Sequence, residues 1–158
     1  MSETAQTLTV YITCADAARA IDHYKQVFGA VETMRLAMPD GKIGHAELRI
    51  GNSKLMLSDE FPEINVRSPL AIGGTPVALC LEVDDTDRVV AKAVEAGAKV
   101  ARPPTDQFYG YRSAKIADPF GHVWDIMTNK EHLSDDEIRR RFEAMTQQSD
   151  LAVTTPSA

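Results

Sequence analysis

The sequence predicts an α+β fold made of two βαβββ modules followed by a separate C-terminal helix. Three observations carry that reading. Short runs of strict apolar alternation, the period of a strand, flank two stripes with helical spacing. Each stripe runs from an aspartate to a glycine, the residues that start and stop helices. These marks recur at one offset: Asp16 and Asp84, Gly29 and Gly97, and Ala30 and Ala98 each stand 68 positions apart.

The first strand is Leu8 to Thr13, with Leu8, Val10 and Ile12 on one face and Thr9, Tyr11 and Thr13 on the other. Asp16 caps a helix whose stripe is Ala17, Ala20, Ile21, Tyr24 and Phe28, and Gly29 ends it. Val31 to Met38, Gly44 to Ile50 and Lys54 to Ser58 are extended, separated by turns at Pro39-Asp40-Gly41 and Gly51-Asn52. Five prolines and glycines between Pro62 and Pro76 make regular structure improbable across 60–76. The pattern then returns, with a strand over Val77 to Val83 and a helix capped by Asp85. That helix buries Val89, Val90, Ala93 and Val94 and ends at Gly97. Lys99 to Arg102, Arg112 to Ala117 and His122 to Thr128 supply three more strands. Ser134 and Glu137 form a capping box for the last helix, where the Arg139 to Arg141 run suits the negative end of the dipole. The resulting division is a first module over 1–59, a linker over 60–76, a second module over 77–130, a helix over 131–148 and a frayed tail over 149–158.

Composition narrows the function classes. The chain has 158 residues, 44% of them apolar, which is globular composition of single-domain length. A net charge of −6 argues against sequence-independent binding to nucleic acid or anionic membrane, since both need clustered positive charge. No apolar run approaches the roughly 20 residues of a membrane helix. Met1-Ser2-Glu3-Thr4 shows no export signal, so the expected location is the cytoplasm. Two cysteines, Cys14 and Cys80, are too few for a disulfide framework.

Four stretches carry a family resemblance: Gly44-His45-Ala46-Glu47-Leu48, Leu55 to Glu60, Asp106 to Gly110, and Asp118-Pro119-Phe120-Gly121-His122-Val123-Trp124. Over roughly Leu8 to Gln148 the chain resembles the vicinal oxygen chelate superfamily of glyoxalase I, bleomycin-resistance proteins and extradiol dioxygenases. The closer likeness is to its PhnB-like branch. The resemblance implies two edge-to-edge modules whose mixed sheet curls into a concave cup, with helices on the convex side. By alternation His45, Glu47 and Arg49 point into that cup, with Met56, with Ala78, Cys80 and Glu82, and with Asp125. It also implies a homodimer, the apolar linker around Pro69, Leu70, Ala71 and Ile72 covering the interface.

The metal enzymes of that superfamily hold their ion with one His, Gln or Glu on each of four strands. By resemblance those positions are Thr9, Met56, Ala78 and Asp125, of which Asp125 alone ligates a divalent cation well. No metal or other cofactor is therefore expected. The alternative is a glyoxalase- or dioxygenase-type enzyme with a rearranged metal site from His45, Glu47, Glu82 and Asp125. A metal-free enzyme using the His45–Glu47 pair, and a mainly structural protein, also stay open. Cys80 beside Leu79 and Leu81 reads as inert core, His122 as a hydrogen-bonded structural residue, and His23 and His132 as surface groups.

Phe108, Tyr109 and Tyr111 place three aromatics within four positions, next to the fork donor Arg112. An aromatic wall with one charged anchor suits a small planar anion; the same aromatics would serve equally to close the cup or to form a dimer contact. The expected function is small-molecule binding in the cup without metal, with contacts from Tyr11, His45, Glu47, Met56, Phe108, Tyr109, Arg112 and Asp125. No catalytic residue is assigned.

Overall fold

The computed structural model describes residues 5–153, so the N-terminal residues read for export and the last residues of the expected tail lie outside it. The elements run β1 (Val10–Cys14), α1 (Ala17–Phe28), β2 (Val31–Ala37), β3 (Ile43–Ile50) and β4 (Ser53–Asp59), then a short linker helix α2 (Pro69–Ile72). They continue with β5 (Ala78–Glu82), α3 (Thr86–Glu95), β6 (Lys99–Asp106), β7 (Tyr111–Ala117), β8 (Val123–Asn129) and α4 (Asp135–Val153). Each module forms its own four-stranded mixed sheet, ordered β1-β4-β3-β2 and β5-β8-β7-β6. In each, the first and last strands pair in parallel and the other neighbours antiparallel. Neither sheet closes on itself.

The caps form as the residue types require. Asp16 accepts from the Arg19 amide at 3.1 Å, Asp85 from the Arg88 amide at 3.0 Å, and Ser134 from the Glu137 amide at 3.2 Å. Gly29 closes α1 at φ 65°, a left-handed conformation that glycine adopts without steric cost.

Several details differ from the sequence reading. The α3 cap is Asp85 as expected, but the helix ends at Glu95 with its C-cap at Ala96, one residue before the expected Gly97. The linker is not irregular throughout: Pro62–Ile64 makes one 3-10 turn, and Pro69–Ile72 makes a helical turn capped by buried Ser68. Proline at a first helical position is pre-set for that turn. β6 runs past Arg102 through Pro103 and Pro104 to Asp106, which an edge strand tolerates because its outer side donates no ladder bonds. Val94 stays 46% exposed, while Thr86, Val90 and Ala93 are the buried side of α3. α4 continues through the first residues of the expected tail to Val153.

One hydrophobic core serves both modules. It lies on the helix side of the two sheets and joins Ile12, Ile21, Tyr24, Leu48 and Leu57 to Ala114, Ile116, Trp124 and Ile126. α1 forms the bridge: Tyr24 and Phe28 meet the Trp124 ring at centroid distances of 5.4 and 4.6 Å. His23 is buried as well, edge-on to Phe120 at 5.8 Å, so it is not the surface residue that its helix position suggested. His122 is structural as expected, its Nε2 lying 2.8 Å from the Thr13 carbonyl oxygen.

Candidate functional site

The opposite face of each sheet carries the chemistry, and the strand registers decide which side chains meet there. In the first module Tyr11 stands beside Met56, and Met56 beside Glu47. Met34 and Leu36 lie opposite Glu47 and His45. The Tyr11 hydroxyl is 2.9 Å from His45 Nδ1, His45 Nε2 is 3.4 Å from a Glu47 oxygen, and the other Glu47 oxygen accepts from Lys54 at 2.8 Å. An ionised carboxylate only accepts, so the neutral imidazole that satisfies both contacts donates from Nε2 to Glu47 and accepts the Tyr11 hydroxyl hydrogen at Nδ1. Lys54 foremost, and His45 after it, hold the Glu47 carboxyl below its ordinary range. Four predicted residues, Tyr11, His45, Glu47 and Met56, thus form one cluster.

Asp125 belongs to a second cluster. Its carboxylate accepts from Arg102 at 3.2 Å and lies 3.4 Å from the Lys115 ammonium, and Arg102 also donates to Ser113 at 2.9 Å. Met127 stands opposite Ser113, and Asn129 opposite Tyr111, whose hydroxyl accepts from the Asn129 amide at 3.2 Å. Among the described residues, no hydrogen bond or ion pair joins Asp125 to His45 or Glu47. Arg102 and Lys115 were missed in the sequence. Lys115 falls on the face of β7 that alternation assigns, but the bulges of β6 hide the orientation of Arg102.

The aromatic segment sits at one end of this face. Tyr109 lies 5.9 Å from Tyr111, Phe108 5.2 Å from Tyr109, and Phe142 of α4 5.8 Å from Phe108. Arg112 points elsewhere. It shares the helix side of β7 with Ala114 and Ile116, and its guanidinium is held by Asp87 at 2.6 and 3.0 Å and by Asp106 at 3.1 Å. Asp87, then Asp106, raise its pKa further, so its charge is already balanced twice over. The anchor role expected for it falls to other cations.

Cys80 is exposed beside Asp125, not core, because β5 is an edge strand whose concave side no described residue covers. Cys14 is buried, and burial pushes its thiol pKa far up. Between the sheets lies a cleft of about 330 Å³, with Val10, Leu55, Val77 and Leu79 as apolar walls and Lys54 and Cys80 at its polar margin.

The residues do not fit the metal centre that the resemblance implies. The registers put Tyr11 beside Met56 and Cys80 beside Asp125, rather than Thr9 and Ala78. A phenol and a thioether are poor partners for a hard cation, and Asp125 is already paired with two cations. Among the described residues no group of three His, Cys, Asp or Glu side chains is placed to hold an ion.

Comparison with known proteins agrees with this architecture. Residues 6–126 match the profile of the Glyoxalase/Bleomycin resistance protein/Dioxygenase superfamily. The Mycobacterium bovis protein Mb0911c is 40% identical over 146 residues, covering 90% of this chain and 94% of that one. The crystal structure of PA1353 from Pseudomonas aeruginosa superposes with a TM-score of 0.68 at 22% identity, covering 80% of this chain and all of that one. The PhnB protein of Bacillus cereus shares the fold with a TM-score of 0.62 at 15% identity, over 78% of this chain and 99% of its own. The fold, the paired modules and the matched span place this chain in the Glyoxalase/Bleomycin resistance protein/Dioxygenase superfamily.

Proposed function

We propose that the protein binds a small, partly aromatic, anionic molecule on its concave sheet faces, without a metal. One observation carries this reading. In a chain of net charge −6, the strand registers turn five cations toward those faces, Arg49, Lys54, Lys99, Arg102 and Lys115, against three acids, Glu47, Glu82 and Asp125. A concavity with a net excess of one sign of charge concentrates ligands of the other. Exposed Tyr11, Met34 and Leu36 and the apolar cleft supply the contact area that such a ligand needs. Tyr11, His45, Glu47 and Met56 serve one wall, Asp125 the other, and Phe108 and Tyr109 the aromatic end. Arg112 stands outside this set. A homodimer is part of the proposal, since Leu70 and Ile72 of the linker remain exposed on a single copy. The same faces would admit a metal-free acid–base reaction through Tyr11, His45 and Glu47.

Cys80 provides the test, being the exposed thiol beside Asp125 while Cys14 is buried. Small aromatic acids that stabilise the protein in a thermal-shift screen should slow alkylation of Cys80, and alkylated protein should lose them. Hits that bind labelled and unlabelled protein alike would sink the assignment.

A further inference from the structure

We infer that the sheet face of the second module is a subsite for a carboxylate monoanion, gripped by Arg102 and Lys115, with its aromatic end lying along β7 and β8 toward Tyr111. This rests on the ligand-binding reading above and adds the group recognised, the anchors and the direction of the ligand.

Charge decides the class of anion. Arg102 and Lys115 flank the single carboxylate of Asp125, leaving one positive charge in excess. Lys99 and Glu82 stand at opposite corners of the same face, beside Ala117 and Met127, and neither flanks Asp125. A monoanion matches this excess, whereas a dianionic phosphate leaves a charge uncompensated. Donors are also in reserve. The structure gives Arg102 two hydrogen bonds, both from Nη2, while its side chain remains 41% exposed and its buried Nε has no partner among the described residues. The two Nη1 hydrogens are the donors left to meet an incoming carboxylate oxygen. Ser113, fully buried at the base, holds the guanidinium in place.

Register decides the direction. Lys115, Ser113 and Tyr111 follow one another on one face of β7, at a spacing of about 7 Å. Met127 stands opposite Ser113, between the cations and the Tyr111–Tyr109 pair. A thioether makes a favourable floor for an aromatic ring. The gap from anchor to Tyr111 suits an aryl group held on a short carbon chain better than a carboxylate attached directly to the ring. Arg112, the register partner of Asp106 and facing the helices, takes no part.

Isothermal titration with cinnamate, benzoate, cinnamyl alcohol and inorganic phosphate tests this on the full chain. Cinnamate should bind more tightly than the other three. Arg102→Gln and Lys115→Gln should each weaken cinnamate about tenfold or more, while Arg112→Gln leaves it unchanged. Asp125→Asn should strengthen cinnamate, because it removes the competing carboxylate; a purely structural role for Asp125 predicts weakening. Cinnamate binding that is indifferent to both Arg102→Gln and Lys115→Gln, or weakened by Asp125→Asn, overturns the subsite and leaves the broader binding proposal standing. Failure of the parent protein to bind any aromatic probe overturns both. Preference for phosphate overturns the monoanion assignment.

Discussion

The Tyr24 phenol donates to the Asp118 carboxylate at 2.6 Å, joining residues 94 positions apart. Tyr24 lies on α1 of the first module and Asp118 in the β7–β8 turn of the second. The same carboxylate accepts from Trp124 Nε1 at 2.9 Å and from the amides of Phe120 at 3.0 Å and His122 at 2.9 Å. A residue that reads as an ordinary turn former is therefore the polar centre of the contact between modules. Burial, and then the Asp118 charge, push the Tyr24 pKa well up, so the phenol stays a donor.

Tyr24→Phe keeps the ring packing and deletes one of four donors to a buried carboxylate. Its expected cost is about 1.5–3 kcal/mol, the range for hydrogen bonds to charged groups. Asp118→Ala should cost more, because it orphans the phenol, the indole N–H and two amides together. Urea denaturation midpoints check both; a Tyr24→Phe change too small to resolve would show that the modules do not depend on this contact.

His23 should make stability fall in mild acid. Burial lowers its pKa below the ordinary 6.5, against an opposing pull from Asp118. The unfolded chain then takes up this proton before the folded one, so stability is intact above about 6.5 and declines as pH drops toward the lower folded-state value. His23→Gln should flatten that part of the profile. An identical pH dependence in the variant would assign the effect elsewhere.

Thiol chemistry should separate the two cysteines. Cys80 is exposed, whereas Cys14 is buried with its thiolate suppressed. One equivalent of iodoacetamide should label Cys80 alone in native protein, and peptide mapping reads the site. Rapid labelling of Cys14 would contradict its burial.

Stoichiometric uptake of zinc, nickel, cobalt or manganese is not expected. The argument is the donor set at the matched positions, together with the ion pairs already on Asp125. Equilibrium dialysis with tag-free protein checks it. A one-to-one metal lost in Asp125→Asn would restore the metal-enzyme reading.

Light scattering at micromolar concentration should show a dimer, and Leu70→Arg with Ile72→Arg should shift it toward monomer. Both side chains are exposed on a single copy, at 58% and 62%. A stable contact of this kind buries on the order of 1,600 Å² in total. A parent protein that scatters as a monomer removes the dimer from the proposal.

By itself the sequence determined what depends on neighbours close in the chain. Strand alternation, helix stripes, the caps at Asp16, Asp85 and Ser134 and the glycine stop of α1 are local, because each is satisfied within a few residues. Alternation also placed Tyr11, His45, Glu47, Met56 and Asp125 on the correct sheet faces. What a side chain touches across the sheet was decided by the tertiary structure alone. Alternation gives the face of Tyr11, but only the register of β1 with β4 and β3 brings its hydroxyl to His45. The β6 bulges turn Arg102 toward Asp125, while α3 brings Asp87 over Arg112 and takes that cation out of the site. His23 and Cys80 exchange their expected environments for a related reason. Packing of α1 against the second module covers one, and the open edge at β5 leaves the other bare. Register, bulges and the meeting of modules are set by contacts distant in sequence, and local periodicity carries no record of them.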